Sequence, residues 1–153
     1  MAAIENIFNE TITAQVIKRI NNLKANTPPQ WGKMSVEQML AHCAVTYDMV
    51  YTNKHQKPNA FTRFILKMFV KNIVVGPKPF SKNGKTSPQF LITNQREFDL
   101  EKNKLIEYIN KTQKLGAHYF DNKASHAFGK LTKEEWNTMF YKHLDHHLTQ
   151  FGV

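Results

Sequence analysis

Seven histidines are the side chains of this sequence best suited to chemistry, and two of them, His143 and His147, stand four residues apart near its end. On a helix turning about 100° per residue, with Trp136 set at zero, Phe140 falls near 40°, His143 near 340°, His147 near 20° and Phe151 near 60°. Both imidazoles therefore lie in the middle of the apolar face that must turn inward, with β-carbons roughly 5–6 Å apart. Two neutral imidazoles at that spacing can share one divalent metal ion through nitrogen bonds of about 2.0–2.1 Å. The bland reading is two core histidines, each hydrogen-bonded to a carbonyl or a carboxylate. Two adjacent on an apolar stripe are harder to satisfy separately, which favours the metal.

A catalytic metal site takes a third protein ligand and keeps a coordination position open. His42 is the candidate for that role, on the flank of the Met39, Cys43 and Thr46 face of another helix. His146, near 280° on the same wheel, sits at the edge of the inward face, Gln150 lies near 320° and Asp145, near 180°, points to solvent. Gln150 can hydrogen-bond a ligand histidine or a bound water, and His146 is placed to support the site rather than to ligate. His55, His118 and His126 fall in or beside loops, where spacing gives them no role. Cys43 diverges by about 100° from His42 and reads as a small buried hydrophobe.

The elements that must position these residues follow from apolar periodicity and caps. Ile12, Val16, Ile17, Ile20 and Leu23 form one helical stripe that stops before Pro28-Pro29. Ser35-Val36-Glu37-Gln38 is a capping box opening a helix to about Tyr51, and Thr132-Lys133-Glu134-Glu135 opens another that runs almost to the end. A helix through Phe98, Leu105, Ile106 and Ile109 starts somewhere from Asn94 to Asp99 and ends near Leu115-Gly116, where glycine suits a left-handed cap. Phe61, Phe64, Ile65, Met68 and Phe69 make a short amphipathic helix expected to pack its apolar stripe on the rest, with Arg63, Lys67 and Lys71 as a basic ridge behind. Gly76 to Pro88 is a loop, and Gln89 to Ile92 is the one stretch with an extended character. Gly84-Lys85-Thr86 is not a phosphate loop, because Pro79 stands where that motif needs glycine. The economical fold is all-α: an antiparallel four-helix bundle over residues 1–153, one domain, with a short basic helix and loop inserted between helices two and three.

Composition narrows the function classes. One cysteine excludes a disulfide framework and a cysteine-cluster zinc site and fits a reducing compartment. The start lacks a secretory signal, and Phe61 to Val75 is too short and too charged to span a bilayer, so a cytoplasmic location is expected. The net charge of +9 is uneven: Tyr51 to Gln95 carries eight cations and no carboxylate, against thirteen cations and twelve carboxylates elsewhere. Arg63, Lys67, Lys71 and Lys85 are its candidate anion-binding residues, able to draw an anionic small molecule, nucleic acid or lipid headgroups.

Trp31-Gly32-Lys33-Met34-Ser35, Gln38 to His42, Phe128 to Thr132, and His143-Leu144-Asp145-His146-His147-Leu148-Thr149-Gln150-Phe151-Gly152 together resemble the DinB-like (DinB/YfiT) superfamily, closest to a subgroup of unknown function. The resemblance implies a four-helix bundle, often a homodimer. It also implies nickel or zinc held by one histidine of the second helix and two of the last, matching His42, His143 and His147. Members with known activity include thiol-dependent transferases, isomerases and hydrolases, which implies a small-molecule substrate such as an anionic thiol.

Two readings compete with a metal-dependent transferase or hydrolase. One is a basic module for nucleic acid or an anionic surface, using Arg63, Lys67 and Lys71 beside Phe61, Phe64 and Phe69. Nucleic acid is disfavoured there because those rings are expected to pack inward, leaving none to stack on bases. The other is a metal-stabilised bundle without turnover. No Asp or Glu stands out as a general base.

Overall fold

Two capping boxes fix where the histidine-bearing helices begin. Ser35 Oγ accepts from the Gln38 amide while Gln38 Oε1 accepts from the Ser35 amide, opening α2 (Val36–Tyr51); Thr132 and Glu135 do the same for α6 (Lys133–Gln150). Each box satisfies two backbone donors that a helix start would otherwise leave free. Asn9 caps α1 (Glu10–Asn22) and Glu97 caps α5 (Phe98–Phe120) through side-chain oxygens on first-turn amides. A computed structural model describes residues 3–153, and the chain in it is mostly helical.

These four longer helices share one core. Val16 and Ile20 of α1, Met39, Leu40 and Tyr47 of α2, Leu105 and Ile109 of α5, and Trp136, Phe140 and Leu144 of α6 are all buried together. Each side chain of that size stabilises the fold by about 1.5–3 kcal/mol on burial. Tyr47 stacks on Phe140 with ring centroids 5.0 Å apart, which fixes α2 against α6, the two helices that carry His42 and His143. The end of α6 is tied down as well: Arg19 bridges Asp145 at 2.7 Å and donates to the Val153 carbonyl, and the Gln30 amide donates to the Gln150 carbonyl.

The chain between α2 and α5 departs from its expected form. It holds α3 (Ala60–Phe69) and α4 (Lys71–Val75), and the apolar stripe of α3 faces outward: Phe61 is 75% and Phe69 68% exposed. Periodicity identified the stripe but assigned it the wrong environment, since a shared face says nothing of what the face meets. Arg63, Lys67 and Lys71 do not form one ridge either. The break at Val70 puts Lys71 in α4, where it pairs with Glu135 at 2.7 Å, while Arg63, Lys67 and Lys85 are exposed. Pro88–Phe90 is a 3-10 turn rather than extended chain.

Two smaller corrections concern glycine and strands. Gly116 breaks α5 at φ 73° and ψ 166°, a positive-φ conformation that suits glycine but lies outside the left-handed helical well, and the chain makes one further turn to Phe120. Lys123–Ala124 (β1) and Lys130–Leu131 (β2) pair antiparallel in a hairpin ahead of α6, too short for any strand signal. No helix among the described residues is long and apolar enough to cross a membrane.

Candidate metal centre

His42 comes from the second turn of α2 and His143 and His147 from successive turns of α6. Their ring centroids form a nearly equilateral triangle, 4.9 Å for His42–His143, 4.5 Å for His42–His147 and 4.9 Å for His143–His147. One ring nitrogen from each lies within 4.8 Å of the other two, and His42 Nε2 is 2.9 Å from His143 Nε2. His42 and His147 are buried, and His143 is partly exposed.

Each ring is oriented by a protein oxygen at its outer nitrogen. The Phe90 carbonyl, which can only accept, lies 2.9 Å from His42 Nδ1, so that nitrogen carries the proton. Gln150 donates through Nε2 to the Trp31 carbonyl at 2.7 Å, leaving its Oε1 to accept from His147 Nδ1, also at 2.7 Å. Gly32 makes this reach possible: at φ +84° a β-carbon there would stand 2.7 Å from the Gln150 amide nitrogen. Thr46 Oγ1 lies 3.1 Å from His143 Nδ1 and can donate or accept. In the neutral rings of His42 and His147 the remaining lone pair is therefore on Nε2.

The electrostatics match a ligand set. Burial lowers the pKa of His42 and brings that of His147 down to about 3; burial, reinforced by the imidazoles around it, pushes His143 well below the ordinary value. All three rings are thus neutral at physiological pH, the form that coordinates metal. The cluster holds no carboxylate, and facing lone pairs 2.9 Å apart require a proton or a cation between them. Three neutral nitrogen donors this close together could hold one metal ion.

Residues 8–152 match the family described as Protein of unknown function (DUF1569). The chain is a DUF1569 protein. Comparison with curated proteins and with solved structures gives no match.

Several residues around the histidines of this DUF1569 chain were not legible in its sequence. Phe90 meets His42 and His143 edge-on at 5.4 and 5.8 Å between ring centroids, and Phe80 lies over His146 at 5.6 Å. His146 packs between Phe80 and Trp31 with its ring 5.0 Å from His147, outside the convergent trio. Lys142 is buried; its ammonium donates to the carbonyls of Ile73 at 2.8 Å, Gly76 at 2.5 Å and Lys78 at 3.1 Å, clamping the loop that carries Phe80 onto α6. Burial drops its pKa to about 8, but three carbonyl acceptors call for three N–H bonds, so it clamps as the cation at neutral pH. Lys82, 4.3 Å from the Trp31 ring centroid, and Lys142, 4.5 Å from that of Phe80, and not Lys71, are the lysines packed on the aromatic residues beside the histidines. A lysine one residue before a candidate ligand was the available signal for Lys142; the loop aromatics had none.

Proposed function

We propose that this protein is a metal-dependent enzyme of the DinB-like four-helix-bundle kind, holding a divalent ion, zinc or nickel, on His42, His143 and His147. The observation that carries the reading is the set of three convergent imidazole nitrogens whose outer nitrogens are all engaged by protein oxygens. An ion held there supplies Lewis acidity that polarises a substrate or acidifies a bound water or thiol. The protein's own part is orientation and shelter. Gln150 fixes His147, the Phe90 carbonyl fixes His42, and Phe80 and Phe90 restrict water around the rings. The free coordination position and the positive potential of Lys82 favour a small anionic substrate such as a carboxylated thiol.

Elemental analysis and calorimetric titration of the purified chain test this. We expect about one zinc or nickel per chain, none in His143→Ala or His147→Ala, and affinity reduced roughly 10–100-fold in Gln150→Leu, which keeps every ligand but frees the His147 ring. Metal retained at full affinity in both alanine variants would overturn the ligand set. Chelation followed by thiol-transfer and ester-hydrolysis assays separates enzyme from structural site: turnover returning with the ion supports catalysis, whereas a fall in Tm with no turnover in any assay supports a structural ion.

A further inference from the structure

We propose that α3 is a docking arm for an anionic phospholipid bilayer. Phe61, Phe64, Ile65, Met68 and Phe69 fall within an arc of about 140° on this helix. Phe64 is 59% and Met68 58% exposed, alongside the greater exposure of Phe61 and Phe69. Large apolar side chains gathered on one exposed face mark a contact surface rather than chance exposure. Only Leu66 and Val70, on the remaining side, are partly covered. The arm is nonetheless firmly held: the Asn59 side chain caps its start, and α4 directly after it is fixed by the Lys71–Glu135 ion pair and by the Lys142 ammonium on the Ile73 and Gly76 carbonyls.

Charge selects the occupant. The segment from Tyr51 to Gln95 has eight cations and no carboxylate, so a second copy laid face to face would bring like charges together, whereas an anionic surface meets no repulsion. Geometry separates lipid from nucleic acid. Arg63 and Lys67 lie at roughly 200° and 240° when Phe61 is set at zero, about 170° and 130° from the middle of the apolar arc. A nucleic-acid strand needs cations and stacking rings on one face. A helix lying in a bilayer interface needs the arrangement seen here, apolar residues sunk about 5–10 Å below and cations level with the headgroups. Ile65 and Met68, which cannot stack on bases, fit the same reading.

Flotation of the full chain with phosphatidylcholine vesicles, with and without about 30% phosphatidylserine, tests the proposal. Binding is expected on the serine-containing vesicles, weakened by salt, abolished in Phe64→Asp/Phe69→Asp, and reduced roughly fivefold for each cation removed in Arg63→Gln and Lys67→Gln. Because the altered side chains are exposed, helicity by circular dichroism and metal uptake should match wild type in every variant. No binding to anionic vesicles at low salt overturns the proposal, as does undiminished binding by the double aspartate variant. A lipid-free dimer in sedimentation velocity that the same variant dissolves would give the face to a second copy, and single-stranded oligonucleotide binding without vesicle binding would give it to nucleic acid.

Discussion

Helix α2 turns two polar patches into the same interior, and they are completed in different ways. At Asp48, burial pulls the carboxyl pKa up, but hydrogen bonds from Tyr108 at 2.5 Å and Lys104 at 2.9 Å outweigh it, so the net shift is downward. Charge and hydrogen-bonding capacity are matched within the chain. At His42, six residues earlier, the partners on the inner side are two more neutral imidazoles, and a single N–H from His143 cannot satisfy the lone pairs of both His42 and His147. A buried polar cluster that satisfies itself is architecture. A cluster of like donors that does not is the feature that points to something from outside.

Acid should separate the two patches most sharply. His147 titrates near 3 when folded and near 6.5 when unfolded, so its folded pKa is depressed. Below about pH 6.5 the unfolded chain takes up protons that the folded chain refuses, and stability falls as pH falls. Between about pH 7.5 and 5 this amounts to about 2 kcal/mol for His147, with His42 and His143 acting in the same direction. Asp48 contributes nothing to that slope, because its stabilising charge is lost only lower, through its own depressed folded pKa. Urea unfolding of metal-free protein at the two pH values measures the difference. An unchanged slope in His147→Gln would remove His147 as its source.

The residues that set this contrast were unevenly visible in the sequence. His143 and His147 were legible because four residues is one helical turn and because Trp136, Phe140 and Phe151 fix which side is inside. The same reasoning applied to α3 gave a correct face and a wrong environment. In α6 the capping box, the Arg19–Asp145 pair and the core determine both sides of the helix. In α3, Leu66 and Val70 alone have partial cover. Phe80, Phe90 and Trp31 reach the histidines from loops, where no period links sequence position to direction. Nothing in the sequence set Asp48 apart from the other carboxylates, since its partners Lys104 and Tyr108 lie 56 and 60 residues away.

Asp48→Asn tests the self-sufficient patch. Lys104 and Tyr108 keep a neutral acceptor but lose a charge, and because Lys104 is 31% exposed, water screens part of the cost. We expect stability to drop by roughly 1–2 kcal/mol in denaturant titration, with metal affinity unchanged. A fall in metal affinity would show that the two patches on α2 are coupled, and the contrast between them would fail.

Thr46→Val is the smallest and most discriminating change. In the metal-free chain His42 Nε2 offers a lone pair, so His143 must present Nε2–H to it and accept at Nδ1 from the Thr46 hydroxyl. With an ion on His143 Nε2 the proton sits on Nδ1, and the same hydroxyl must turn to accept. Valine can do neither, so both states lose one hydrogen bond worth about 1 kcal/mol. Stability should therefore fall by about that amount with and without metal, while the titrated affinity stays within roughly threefold, because the two losses cancel in the binding equilibrium. A tenfold loss of affinity would mean that the Thr46 hydroxyl bonds His143 only when the ion is bound, so that it orients that ring for the metal rather than serving both states alike.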